Sequence, residues 1–123
     1  MPHCILEYTD NIADAPVWSD IFRELHAVLV ATGEWHSADI KSRAIELTNY
    51  YIGNGKPQQA FVTLSIQILA GRSDDLKKSI SESCLKALVS HFPLTISQLQ
   101  TSITVTIVDL HLASYCRRIN YEP

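Results

Sequence analysis

The second half of the chain has the clearest alternation of apolar and polar positions. Between Phe61 and Leu69 every second side chain is apolar, which predicts a strand with one apolar face. Ser102 to Leu110 alternates in the same way and predicts a last strand. Between them, Ser73 is a good N-cap for a helix that His91 and Pro93 are expected to close. The apolar stripe of this helix comprises Leu76, Ile80, Cys84, Ala87 and Leu88.

The first half of the chain repeats this order with a weaker pattern. His3 to Thr9 predicts a short strand, and Ile40 to Tyr51 a second strand with poorer alternation. A helical stripe lies between them, with Pro16 suited to its first turn and Gly33 to the position after its end. Residues 53–57 have the composition of a turn. The stripe comprises Trp18, Ile21, Phe22, Leu25, Val28, Leu29 and Thr32.

The order strand–helix–strand, turn, strand–helix–strand predicts an α+β fold made of two βαβ units. Right-handed crossovers place both helices on one face of a four-stranded mixed sheet. We expect one domain over residues 1–123, with pseudo-repeat halves at about residues 2–52 and 58–111. The other sheet face then lacks a helical cover, so it faces either water or other subunits.

Composition narrows the class of protein. Of the 123 residues, 46% are hydrophobic and 19% are charged, which argues against disorder. No apolar run is long enough for a membrane-spanning helix, and the first residues lack the basic region of a signal peptide. The net charge of −3 argues against nucleic-acid binding. Arg117 and Arg118 are the one basic pair near the end, and we expect them in a solvated tail.

The cysteines and histidines do not form a recognisable site. Cys4, Cys84 and Cys116 are an odd number without close spacing, which fits neither a disulfide framework nor a zinc site. Cys4 and Cys84 lie among apolar residues and are expected to be packed thiols, as in a reducing cytoplasm. The five histidines lack metal-ligand spacing, and no common nucleotide, serine-hydrolase or zinc-protease motif occurs.

Pro2 is the first candidate for chemistry. Methionine before a small residue is commonly removed, which would leave Pro2 with a free secondary amine. An α-amino group titrates near 7.7–8.0 in model peptides, and burial or nearby cations lower its pKa. Such an amine is a good general base near neutral pH. The alternative is that proline at this position serves only N-terminal processing.

Three cations are the other candidates. Arg72 lies in the loop between a predicted strand and a predicted helix, where the helix N-terminus favours an anion. Lys41 and Arg43 are two apart, so on a strand they point to one face and suit a carboxylate substrate. The alternatives are a solvated loop arginine and a solvated strand edge.

The chain resembles the 5-carboxymethyl-2-hydroxymuconate isomerase family of the tautomerase superfamily. The resemblance spans roughly residues 2–111, and the order and spacing of its short pieces make it fairly specific. The pieces are Pro2-His3, Ile5, Glu7, Thr9, Asp10-Asn11-Ile12, Ala31-Thr32-Gly33, Ile40-Lys41-Ser42-Arg43, Ala60-Phe61-Val62, Ala70-Gly71-Arg72-Ser73, His91-Phe92 and Leu110-His111.

The resemblance implies a homotrimer of βαβ–βαβ protomers whose uncovered sheet faces pack around the three-fold axis. It implies isomerisation of an unsaturated dicarboxylate or tricarboxylate in bacterial homoprotocatechuate breakdown, without a metal or organic cofactor. By position, Pro2 matches the catalytic proline and Arg72 a catalytic arginine. Lys41 stands where the family typically has another active-site arginine, and Arg43 matches the second arginine of that segment. Both are expected to bind substrate.

Two other functions remain open. One is another tautomerase-superfamily activity, such as a phenylpyruvate-type keto–enol tautomerase. The other is a trimeric ligand-binding homologue without catalysis. Lysine at position 41 keeps the charge of arginine but loses its planar bidentate fork, which leaves room for an altered substrate.

Overall fold

A single four-stranded sheet organises the chain, and a computed structural model describes all of residues 1–123. Its strands in chain order are β1 (His3–Thr9), β2 (Lys41–Leu47), β3 (Gln59–Leu69) and β4 (Gln100–Leu110). The spatial order is β2-β1-β3-β4. β1 and β2 are parallel, as are β3 and β4, while β1 and β3 run antiparallel in the centre. This is the mixed sheet expected from two joined βαβ units.

The helices are α1 (Trp18–Ala31), α2 (Asp74–Val89) and α3 (Pro93–Gln98). The buried side chains of α1 and α2 belong to one apolar cluster with alternate residues of β1 and β3, so both long helices cover the same sheet face, as predicted. Ser73 caps α2 as expected, because its Oγ accepts a hydrogen bond of 3.2 Å from the Leu76 N–H. No helix has the length and apolar character needed to cross a bilayer.

The opposite sheet face carries no helix and is markedly polar. In β3 the positions between the buried ones are half-buried and include Thr63, Ser65 and Gln67. The register sets Lys41 beside His3 and Arg43 beside Ile5, so both cations of β2 belong to this open face.

Several predicted boundaries differ from the structure. The second strand is shorter than Ile40 to Tyr51, because the chain leaves the sheet after Leu47. Pro16 precedes α1, whose cap residue is Val17. The second long helix ends before His91, and Pro93 begins α3 instead of closing α2. The short α3 has too few turns to show a periodic apolar pattern in the sequence.

Candidate active site

One edge of the sheet brings together the start of the chain and two of the candidate cations. Because β1 and β2 are parallel and β3 is antiparallel to β1, the first residues of β1 and β2 meet the last residues of β3. His3 pairs with Lys41 on one side and with Gln67 on the other. Pro2 precedes β1 and Arg72 follows β3, so this edge also carries both of these residues.

Pro2 is buried at this edge. Its carbonyl accepts a hydrogen bond of 3.1 Å from the Lys41 N–H, and the Met1 amine donates to the Asp39 carbonyl at 3.4 Å. Burial, followed by the positive charges of Lys41 and Arg117, lowers the pKa of this amine below 8.0, while the Asp39 carboxylate opposes the shift. A polypeptide amine held here is therefore neutral at a lower pH than it is in solution.

The ammonium of Lys41 is held by two oxygen atoms. Its Nζ donates to the Asp39 carbonyl at 3.1 Å and to the Tyr121 hydroxyl at 3.5 Å. Asp39 is itself buried, and its carboxylate accepts a hydrogen bond of 3.2 Å from Arg117. Arg117 and Arg118 are both exposed, as expected for a solvated tail, but Arg117 also forms an ion pair with the buried Asp39 carboxylate that the sequence did not indicate.

Arg72 is held by three groups of different kinds. Its Nη1 donates to the Leu69 carbonyl at 3.3 Å, and its Nε lies 3.6 Å from the Glu34 carboxylate. The guanidinium carbon lies 5.0 Å from the centroid of the Trp35 ring, which is a cation–π distance. With only 24% of its side chain exposed, Arg72 is an oriented cation rather than a solvated loop residue.

Arg43 contacts the start of β1 on the open sheet face. Its Nη1 lies 3.0 Å from His3 Nδ1. Because a guanidinium can only donate, Nδ1 accepts and carries no proton in this pair. Burial, then Arg43, the chain's amino terminus and Lys41 all lower the pKa of His3. The pair therefore presents one positive charge, not two.

The candidate cations form two separate groups. Lys41 and Arg43 lie on β2 and flank His3 of β1. Arg72, by contrast, forms an ion pair with Glu34 in the loop between α1 and β2. No hydrogen bond or ion pair joins Arg72 to Lys41 or Pro2. Nowhere do three or more His, Cys, Asp or Glu side chains converge in a way that could hold a metal ion.

Two of the cysteines lie in the core beneath the sheet. Cys4 and Cys84 are buried, which confirms the prediction of packed thiols. Burial, with a smaller contribution from Cys4, raises the pKa of Cys84 to about 12. A thiol with such a pKa stays protonated and is a poor nucleophile.

Five residues around the candidate site were not found from the sequence. Asp39, Arg117 and Tyr121 surround the start of the chain, and Glu34 and Trp35 hold Arg72. Asp39 could have been selected from the sequence, because it lies only two residues before the candidate Lys41. Arg117 and Tyr121 are 78 and 80 residues from their partners, so only the fold brings them into contact.

Comparison with known proteins assigns a family to this arrangement. A family model described as 5-carboxymethyl-2-hydroxymuconate isomerase matches residues 2–122. The Escherichia coli 5-carboxymethyl-2-hydroxymuconate Delta-isomerase is 28% identical over 111 residues, which are 90% of this chain and 88% of that protein.

Solved structures support the same family and the same fold. The crystal structure of a 5-carboxymethyl-2-hydroxymuconate isomerase from Deinococcus radiodurans R1 superposes with a TM-score of 0.88 and 31% identity, covering 97% of this chain and 90% of that one. A fused 4-OT protein, described as a symmetric trimer, superposes with a TM-score of 0.69 over 89% of this chain and 85% of that one. Its identity is 14%, so it shows a shared fold alone.

Proposed function

The chain belongs to the 5-carboxymethyl-2-hydroxymuconate isomerase family within the tautomerase superfamily, and we propose its reaction and catalytic base. The enzyme shifts a proton in an unsaturated 2-hydroxy or 2-oxo dicarboxylate or tricarboxylate. Pro2, freed by removal of Met1, is the general base. The observation that carries this proposal is the burial of Pro2 directly after the Met1 amine, whose pKa is lowered by burial and by the positive charges of Lys41 and Arg117.

The reaction begins with the neutral amine of Pro2, which takes a proton from a carbon of the substrate. The electron pair of the broken C–H bond moves into the conjugated system, so negative charge develops on the substrate oxygen. A cation oriented before the reaction stabilises that charge without reorganising. The protonated Pro2 then returns the proton to a different carbon. The net change is an isomerisation in which no electrons are gained or lost.

The cations have different roles in this proposal. Arg72 is oriented by the Leu69 carbonyl and Trp35 and stabilises the developing charge. Lys41 lies beside the start of β1 and binds a carboxylate of the substrate as a point charge. Arg43, paired with His3, adds positive charge on the open face and assists carboxylate binding.

A homotrimer completes the proposal. The open sheet face has half-buried polar side chains and no covering helix, and a structural neighbour of the same fold is described as a symmetric trimer. Packing of these faces from three subunits would cover them. Sedimentation velocity should give a trimer mass; a monomer at micromolar concentration would contradict this assembly.

The proposed pathway is based on the family, and the proposed compartment on the free cysteines. We place the enzyme in homoprotocatechuate breakdown, as the family suggests, and in the cytoplasm. All three cysteines are free thiols, and a reducing compartment preserves them.

The direct test is to block the amine. Inserting one serine between Met1 and Pro2 converts the Pro2 nitrogen into an amide, which is not basic. We expect the natural chain to lose Met1, as intact mass will show, and to isomerise a carboxymethyl-hydroxymuconate in an ultraviolet assay. The inserted variant should keep the same circular dichroism spectrum and sedimentation behaviour but lose activity. Full activity in that variant would eliminate Pro2 as the base.

The same assay separates the two alternative functions. Lys41 is a point charge rather than a bidentate fork, so the substrate range could differ from that of the relatives. A preference for phenylpyruvate over dicarboxylates would indicate a keto–enol tautomerase. Binding of a dicarboxylate without turnover by the Met1-free chain would indicate a ligand-binding homologue.

A further inference from the structure

Asp39 connects the start of the chain to the segment that follows β4. Its carbonyl accepts hydrogen bonds from the Met1 amine at 3.4 Å and from Lys41 Nζ at 3.1 Å. Its carboxylate accepts from Arg117 at 3.2 Å. The residue is only 8% exposed, and an unpartnered carboxylate at such a position would be unfavourable. The ion pair with Arg117 therefore holds Asp39, and with it the carbonyl that contacts both amines.

Tyr121 makes a second connection from the same segment. Its hydroxyl lies 3.5 Å from Lys41 Nζ, so the ammonium is held between this hydroxyl and the Asp39 carbonyl. Arg117 and Tyr121 are four residues apart, and their contacts with Asp39 and Lys41 attach residues 117–121 to the start of β2. Arg118 lies between them, is exposed and takes part in no ion pair.

We propose that Arg117 and Tyr121 are positioning residues for the reaction: Arg117, through Asp39, sets the charge around the catalytic amine, and Tyr121 fixes the ammonium of Lys41 for a substrate carboxylate. This inference rests on the proposed function, because it assigns the two residues to Pro2 and Lys41. Neither residue touches the reacting atoms.

The charges around the amine determine the sign of the effect. Lys41 and Arg117 provide positive charge and Asp39 provides negative charge, while His3 lies next along the chain as a neutral acceptor. Loss of the Arg117 charge removes one cation and leaves the Asp39 carboxylate unbalanced. Both changes favour the protonated amine, so the amine keeps its proton to higher pH. Loss of Arg118 changes neither group.

The test of Arg117 needs no substrate. The full chain is treated at a series of pH values with a limiting amount of acetic anhydride, which reacts with the neutral amine, and acylation of the first peptide is measured by mass. The variants are Arg117→Gln, the charge-preserving Arg117→Lys and the matched control Arg118→Gln. We expect the midpoint of acylation to move to higher pH in Arg117→Gln, to return towards the natural value in Arg117→Lys and to stay unchanged in Arg118→Gln.

Two results would overturn the role of Arg117. One is an identical midpoint in Arg117→Gln and the natural chain; the other is an equal shift in Arg118→Gln, which would indicate a general charge effect. The structure shows these charges around the Met1 amine, and Pro2 is the next residue, so the same readout is applied to the chain with Met1 and to the chain without it. A shifted midpoint in a chain that fails the isomerase assay would refute the proposed function but leave the contact network supported.

The role of Tyr121 is tested in the same samples through acylation of Lys41. Tyr121→Phe removes one of the two oxygen partners of the ammonium and keeps the ring. We expect Lys41 to be acylated about 2-fold faster, the low end of the range for one hydrogen bond, because this contact is long and exposed. Tyr115→Phe, in the same segment, is the matched control and should show no change. Equal rates in Tyr121→Phe and the natural chain would exclude Tyr121 as a positioning residue.

Discussion

The Glu34 carboxylate lies 3.6 Å from the Nε of Arg72, and the ring of Trp35 lies beneath the same guanidinium at 5.0 Å. Two neighbouring residues of one loop therefore act on Arg72 in opposite ways. Trp35 orients the cation without reducing its charge, whereas Glu34 partly neutralises it. The Glu34 side chain is 43% exposed, so its ion pair is a weak surface interaction. An incoming substrate carboxylate can therefore replace it.

Glu34→Gln should strengthen the binding of an anionic substrate. The variant removes a competing negative charge, while Leu69 and Trp35 still hold the guanidinium. We expect KM for a dicarboxylate to fall by up to about fivefold, in line with the energy of one exposed ion pair. Steady-state kinetics at low and high salt will check this, and the gain should shrink at high salt. An increased KM would show that Glu34 positions Arg72 rather than competing for it.

Arg72→Ala should affect turnover more than Lys41→Ala does. If Arg72 stabilises developing charge, its loss should lower kcat by about 10²–10³, the range for removal of one oxyanion donor. If Lys41 binds a distal carboxylate, Lys41→Ala should raise KM and leave kcat nearly intact. Steady-state kinetics of both variants on one substrate will show the difference. Unchanged kinetics in Arg72→Ala would remove Arg72 from the site.

Lys41→Arg tests whether the side chain at position 41 binds a second carboxylate of the substrate. Arginine restores a bidentate donor, so this variant should improve KM for a carboxymethyl-muconate more than for a monocarboxylate. The comparison needs both substrates under the same conditions. An equal effect on the two substrates would contradict the assignment of Lys41 to the second carboxylate.

His26 should make the stability of the fold sensitive to mild acid. Its Nε2 lies 2.6 Å from Ser42 Oγ, and burial lowers its pKa below 6.5. The unfolded chain therefore binds a proton at a pH where the folded chain does not. Protonation of His26 therefore does not reduce the free energy of unfolding above about pH 6.5. The free energy falls as the pH decreases from there towards the folded-state pKa, because the unfolded chain takes up the proton first.

Urea unfolding from pH 7.5 to pH 5, at one protein concentration, will measure this slope. His26→Asn should reduce the slope of the unfolding free energy against pH. The slope that remains should include a contribution from His3, whose pKa is also lowered. His36→Asn, at an exposed position, is the matched control and should keep the natural slope. A natural slope in His26→Asn would disprove the linkage.

Asp14→Ala should destabilise the fold through α3. The Asp14 carboxylate accepts hydrogen bonds from the backbone N–H groups of Leu94 at 3.2 Å and Thr95 at 2.8 Å. It therefore caps a helix 80 residues further along the chain. We expect the free energy of unfolding to fall by about 1 kcal/mol, as for the loss of a helix cap. Asp14→Asn keeps one acceptor oxygen and should lose less in the same urea titration.

The sequence alone was sufficient to predict the four strands and the two long helices, and to select the candidate residues. Alternation from Phe61 to Leu69 shows a strand because successive side chains point to opposite faces, and Ser73 marks the start of α2 because its hydroxyl satisfies a free N–H. Pro2 was selected because it follows Met1, Lys41 and Arg43 because they are two apart on a predicted strand, and Arg72 because it precedes a predicted helix. Their catalytic roles stay predictions.

The groups that surround these residues depend on the folded arrangement of distant segments. The ion pair of Arg117 with Asp39 and the contact of Tyr121 with Lys41 join parts of the chain that local spacing cannot relate. The same is true of α3, whose cap comes from Asp14 rather than from its own first residues. Periodicity reports the face on which a side chain lies, but a contact across the fold depends on how the sheet brings distant segments together. The sequence was therefore enough to predict the sheet and its two long helices, whereas α3 and the charges around the start of the chain follow from contacts between distant segments.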